Sequence, residues 1–290
     1  MLALLIKSPN ALFTRSMDNL PPIPYLARDY HHRSLTPAKD LSDNMEKPPY
    51  PQYLNPELTP EIARDVAFFK KWGYLVVDNA ITQQQVKSLR RALNATFKRN
   101  DKQFTDQLLE EDKRFAFLLD NPPVLQRMQA ILGTCVQLHS ATSRVTEPGQ
   151  EDQNWHRDVP WPVDPDGTPY GALPGQINCG YYLDELTTEN GAVVILPGSH
   201  RALFRPPEGH PRFPEEKRVL AQPGQAVIFD GCLYHRGAAN QSKKRRRVCL
   251  MCYQTAWMKS REPFNGPIAQ KILESGTDEQ KMLMGAIEKW

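Results

Sequence analysis

In the stretch LTPEIARDVAFFKKWG, apolar residues recur at Ile62, Val66 and Phe69, a spacing that places them on one face of an α-helix. Thr59 stands where a capping hydroxyl is needed, Pro60 at the first helical position and Gly73 just past the end. A short strand, YLVVDNA, follows. The helical period returns in ITQQQVKSLRRALNATFKRN, where Val86, Leu89 and Leu93 lie opposite the basic residues, and in NPPVLQRMQAILG, which stops at Gly133. From Cys135 to Trp257 the period shortens. VQLHSATSRVTE, DQNWHRD, QINCGYYLDE, GAVVILPGSH, KRVLAQ, GQAVIFDG, LYHRGAAN and RRRVCLMCYQ read as strands with glycine or proline at their corners. The pattern predicts a mainly β fold with flanking helices, an all-β barrel or double-sheet jelly roll. Helix resumes in PIAQKILESG and DEQKMLMGAIEKW, whose apolar face needs either the barrel or a second subunit, as in a homodimer, to cover it. Residues 1–57 are proline-rich and aperiodic, which suggests an extended or disordered arm. A single domain over 58–290 then divides into a helical entry (58–134), a jelly-roll core (135–257) and C-terminal helices (258–290).

Composition narrows the class. The 290 residues are 40% hydrophobic and 24% charged, and no run reaches the roughly 18 apolar residues of a membrane span. The net charge of +3 rests on Lys243 to Arg247; without those five positive charges the rest sums to −2 (3 − 5). There is thus no broad basic field of the kind that holds nucleic acid. Five cysteines, an odd number at scattered positions, point to a reducing compartment and so to the cytoplasm. Cys249 and Cys252 lie three apart in a strand, on opposite faces, which suits structural thiols better than a metal knuckle. The acid-free start, residues 1–17, leaves organelle targeting as the alternative localisation, and Met17 as a second possible start.

Candidate chemistry begins with NWHRDVPW. On a strand, His156 and Asp158 share a face about 7 Å apart, as a hydrogen-bonded pair or as two arms of a metal site. A metal needs a donor from elsewhere. His31 and His32 lie in the arm, His210 in a proline-rich loop, His200 at a corner, and His139 in a strand as a core residue. His235 heads a strand after GQAVIFDGCLY, near a barrel mouth. Two imidazoles and one carboxylate make the facial triad of non-haem Fe(II) oxygenases, which leaves positions for a co-substrate and O2. Eleven residues after His235, Arg246 shares a strand face with Val248, Leu250 and Cys252, while Arg245 and Arg247 point the other way. A guanidinium on an apolar face calls for an anion, and a dicarboxylate co-substrate would supply one. Lys243, Lys244 and Arg245 read as a solvated turn.

The arrangement QNWHRD … TTENGAVVILPGSH … HRGAANQSKKRRRV, with the entry LTPEIARDVAFFKKWGYLVVDNAIT, resembles the phytanoyl-CoA dioxygenase family of Fe(II)/2-oxoglutarate oxygenases from Leu58 to Gln254. The resemblance implies a double-stranded β-helix (jelly-roll, cupin-like) core, with iron on His156, Asp158 and His235. It also implies 2-oxoglutarate on Arg246, with Gln153 and Ser242 beside it, and O2 as oxidant. A tryptophan that some members place near the co-substrate falls on Gly180 or Tyr181 here. Because Asp158 is present, the resemblance favours hydroxylation or desaturation over halogenation. The loop VPWPVDPDGTPYGALPGQ reads as a lid or as a surface turn. As a lid it would turn Trp161 and Tyr170, with Tyr181 nearby, toward a small, largely apolar substrate. Arg144, on the strand before the metal strand, would meet a substrate or co-substrate anion. The competing reading is a non-catalytic jelly-roll binding protein, which a lost ligand would mark; all three are present. Zinc hydrolysis, a third reading, leaves Arg246 unexplained.

Overall fold

A computed structural model describes residues 58–159, 175–202, 209 and 211–287. The entry helices lie where their local signals put them. Helix α1 (Pro60–Trp72) is capped by the Thr59 hydroxyl, which accepts from the Ile62 N–H at 3.3 Å, and buries Ile62, Val66 and Phe69. It ends at Gly73, whose left-handed backbone (φ 79°) lets its N–H donate to the Phe69 carbonyl at 2.7 Å. Strand β1 (Tyr74–Val77) leads to α2 (Gln83–Asn100), opened by a capping box of Thr82 and Gln85. Strand β2 (Phe104–Thr105), helix α3 (Leu108–Glu111) and a 3₁₀ turn at Lys113–Leu118 follow. These are too short to set up a period, so the sequence pattern does not reveal them. Helix α4 (Pro122–Leu132) closes the entry region.

The core strands are β3 (Val136–Thr146), β4 (Gln176–Tyr182), β5 (Val193–Ile195), β6 (Lys217–Arg218), β7 (Ala226–Asp230), β8 (His235–Gly237) and β9 (Arg246–Thr255). They pair antiparallel in two sheets, β1-β7-β4-β9-β3-β2 and β6-β5-β8, the double-stranded β-helix expected. DQNWHRD does not form the expected strand; only His156 makes a ladder bridge, to His235. The reason lies in its partners. Gln153 N–H donates to the Gly237 carbonyl, His156 to His235 and Asp158 to Gly231, so the segment outruns three-residue β8 and turns toward the end of β7.

Alternation gives the large sheet two faces. Ile177, Cys179, Tyr181, Ile228, Cys249, Met251 and Tyr253 form one core with Leu89, Leu118, Leu125 and Met128 of the helical layer. Tyr182, Val227, Phe229 and Val248 form another with Val193, Ile195 and Leu233 on the small-sheet side. Helices α5 (Pro267–Ser275) and α6 (Asp278–Leu283) send Ala269, Leu283 and Met284 into the helix-side core. Glu110 of α3 accepts from the Ile268 and Ala269 N–H groups at the start of α5. The chain's own body thus supplies the cover that the sequence left open between barrel and second subunit. All five cysteines are free thiols, and Cys249 and Cys252 face opposite sides of β9. Among the described residues no helix is long and apolar enough to cross a membrane.

A Cβ at Gly73 would lie 2.5 Å from His200 Nδ1 and 2.8 Å from Leu233 Cδ1, on top of the strain of a left-handed backbone. Gly73→Ala should therefore cost about 3 kcal/mol in urea unfolding, against about 1 kcal/mol for the cap change Thr59→Ala. Equal losses would show that the α1–β1 corner relaxes around the added methyl.

Candidate metal centre

Two short-range devices bring His156 and His235 together. Their backbones exchange hydrogen bonds, His156 N–H to the His235 carbonyl at 3.0 Å and His235 N–H to the His156 carbonyl at 3.1 Å. The rings then stand 4.2 Å apart, centroid to centroid. In each ring Nδ1 faces a backbone carbonyl two residues back, Asn154 O at 2.8 Å for His156 and Leu233 O at 2.9 Å for His235. Nδ1 must therefore carry the proton, and each Nε2 presents a lone pair.

Asp158 arrives by another route. Its N–H and that of Val159 both donate to the Gly231 carbonyl, at 2.9 and 3.1 Å. Gly231 suits this crossing, since a Cβ there would sit 2.9 Å from Val159 Cγ2. The carboxylate then lies 3.9 Å from His156 Nε2 and 3.5 Å from His235 Nε2. One donor atom from each of the three residues falls within 4.8 Å of the others. Burial holds the His235 imidazole below its ordinary value despite the pull of Asp158, so it is neutral near neutral pH, the form that ligates metals. Two imidazoles and one carboxylate converging on a point fit a divalent transition ion such as Fe(II).

The expected co-substrate residues divide. Arg246 lies on the inner face of β9, 5% exposed, its guanidinium carbon 5.6 Å from the Tyr182 ring. One terminal nitrogen donates to the Gly191 carbonyl at 2.9 Å, and buried Nε has no partner. Burial lowers its pKa, the signature of a cation short of an anion. This fits a bound carboxylate. Arg245 instead pairs with Glu147, and Arg247 grips Asp184 through two nitrogens, as the alternation of β9 predicts. Gln153 lies against β8, its Oε1 accepting from the Gly237 N–H at 2.8 Å. Ser242 does not join the site. Its hydroxyl donates to Asn240 Oδ1 and accepts from the Lys244 N–H, so it is consumed in holding the turn before β9.

Of the expected pocket residues, Arg144 faces inward beside Val248. Tyr181 does not line the pocket. It belongs to the helix-side core and its hydroxyl accepts from Asn121 Nδ2, because on β4 the site face is Asn178, Gly180 and Tyr182. Trp161 and Tyr170 lie outside the described residues. Asn178, which the sequence reading missed, donates through Nδ2 to Asp158 Oδ2 at 2.7 Å. Only the β4 register could have flagged it, by putting it on the face of Tyr182.

The chain is similar to several known proteins. A model of the phytanoyl-CoA dioxygenase family matches residues 69–248. The dioxygenase andF of Emericella variicolor is 37% identical over 114 residues, 38% of this chain and 36% of that protein. The dioxygenase aneA of Aspergillus aculeatus is 27% identical over 240 residues, 80% of this chain and 74% of that one. Across several such relatives the chain aligns with only about a third to a half of their length. Among solved structures, HygX from Streptomyces hygroscopicus, with nickel and 2-oxoglutarate bound, superposes at a TM-score of 0.60 and 17% identity, over 71% of this chain and 91% of that one. At that identity the likeness speaks to the fold.

If the Asn178 hydrogen bond orients the carboxylate, Asn178→Leu should weaken divalent-metal affinity by about 10- to 100-fold while the protein stays folded. Titrating the metal-free protein with cobalt(II) measures this. An affinity unchanged within about threefold would mean that Asp158 needs no such partner.

Proposed function

The chain is a member of the phytanoyl-CoA dioxygenase family, and we propose that it acts as an Fe(II)/2-oxoglutarate-dependent dioxygenase that hydroxylates an unactivated C–H bond of a small, largely apolar organic substrate. The observation that carries the reading is a pair of features that face each other between the two sheets. Three converging metal donors lie on the small-sheet side, and a buried guanidinium without a carboxylate partner lies on the facing sheet.

Iron and 2-oxoglutarate, when bound, supply the oxidation: the co-substrate is decarboxylated to succinate and CO2 while one oxygen atom of O2 goes to the substrate. The chain's own residues hold and orient. His156 and His235 offer Nε2 because backbone carbonyls keep their protons on Nδ1. Asp158 offers the charge that a dication needs, and Asn178 restrains one of its oxygens. Arg246 takes the distal carboxylate of the co-substrate, and its planar fork suits two parallel hydrogen bonds. Tyr182, Val248 and Leu250 wall this part of the cavity with apolar surface, which excludes water and strengthens every charge contact inside it.

His156→Ala, Asp158→Ala and His235→Ala should each abolish conversion of 2-oxoglutarate to succinate without unfolding the protein. Turnover retained in any two of them would remove the triad.

Arg246→Ala should raise the apparent KM for 2-oxoglutarate by roughly 30- to 1000-fold, about 2–4 kcal/mol for a bidentate contact in a partly dry pocket. Arg246→Lys should restore little. Arg245→Ala, at a screened surface pair, should change it by less than about threefold. Damage from Arg245→Ala and none from Arg246→Ala would place the dicarboxylate elsewhere.

A further inference from the structure

Arg144 is a second cation on the same inner wall. It sits on β3 opposite Val248 of β9 and Phe104 of β2, while Thr146, two residues on, sits opposite Arg246. The two arginines are therefore diagonal neighbours on one sheet face. Every other described arginine that is buried or half-buried donates to a carboxylate or a backbone carbonyl. Arg144 is half-buried and makes no hydrogen bond or ion pair with any described residue. Burial lowers its pKa, and its charge lowers that of Arg246 further.

Charge balance says what is missing. With Fe(II) on the triad, one carboxylate from Asp158, a 2-oxoglutarate dianion and the Arg246 guanidinium sum with the metal to neutrality. The nearby titratable groups add nothing. Burial holds His139 below its ordinary value and pushes the Cys252 thiol up to about 12. Glu147 is engaged by Arg245, and Asp184, whose charge also reaches Arg246, by Arg247 and Arg90. Arg144 leaves one positive charge unanswered, and both carboxylates of the co-substrate already have partners.

We propose that Arg144 receives the carboxylate of the primary substrate, which is therefore an organic acid with an apolar body. This rests on the dioxygenase reading above. A single guanidinium, with the neighbouring Arg246 assigned to the co-substrate, matches a monoanion better than a phosphate dianion. The position suits a molecule that arrives from solvent: Arg144 is half-buried on the strand next to the sheet edge, whereas Arg246 is buried on the strand behind it. The apolar floor beside it, Val248 and Leu250, fits the hydrocarbon part.

The test uses anaerobic protein loaded with Fe(II), first titrated with 2-oxoglutarate to raise the visible charge-transfer band. The probes octanoate, dodecanoate and abietate, each paired with its methyl ester, are then added and the change in that band followed. In the unmodified protein at least one acid should perturb the band about tenfold more tightly than its ester. Arg144→Gln should bring acid and ester within about threefold of each other, with 2-oxoglutarate affinity changed by less than about threefold and thermal stability kept. If Arg144→Gln weakens 2-oxoglutarate about tenfold or more, the guanidinium belongs to the co-substrate and the proposal falls. It falls equally if esters bind as well as acids, or if none of the acids binds. If the unmodified protein gives no band with Fe(II) and 2-oxoglutarate, the dioxygenase reading itself has failed, an outcome distinct from the others.

Discussion

The site depends on one backbone contact, the reciprocal hydrogen bonds between His156 and His235. It joins residues far apart in sequence at the end of a three-residue strand, too little ladder to hold register alone. Flanking side chains supply the rest. Arg236, fully buried next to His235, pairs with Asp152 at 2.6 Å and Glu216 at 3.3 Å and lies over the Trp155 ring. Trp155 in turn donates to the Pro211 carbonyl. A buried cation with two anionic partners is strongly disfavoured from leaving any arrangement that satisfies it. The network therefore fixes the segment before His156 against β8, and both imidazoles inherit that precision.

The large sheet does the complementary work through alternation alone. Each of its central strands sends one set of side chains to the helical layer and the other toward the small sheet. Arg246 and Arg247 show how sharp the division is. Arg247 meets Asp184 and Asn94 on the helix side, while Arg246, one residue earlier, is sealed inside with a lone carbonyl partner. Holding a guanidinium there costs free energy in the folded protein unless an anion joins it.

Much of this was legible in the sequence, because it is written locally. Thr59, Pro60 and Gly73 bound α1 by their own backbone chemistry, and the period of two along β9 separated Arg246 from its neighbours. The H-x-D spacing points to residues that do converge, for an incomplete reason: Asp158 is not on a strand with His156 but is carried by the Gly231 carbonyl. What was not legible depends on pairing between distant segments. Tyr181 looked like a pocket residue because which face of β4 meets the cavity is set by its partners β7 and β9. Asn178 is hidden for the same reason, and Ser242, which the resemblance puts beside the co-substrate, is used up by its own turn.

Everything proposed for the site rests on His156, Asp158 and His235 holding one divalent metal ion. Anomalous diffraction at the iron edge, from crystals grown anaerobically with Fe(II), tests it most directly. A single strong peak is expected about 2.0–2.3 Å from His156 Nε2, His235 Nε2 and one carboxylate oxygen of Asp158. A peak held by other residues, or no peak at saturating iron, would contradict it.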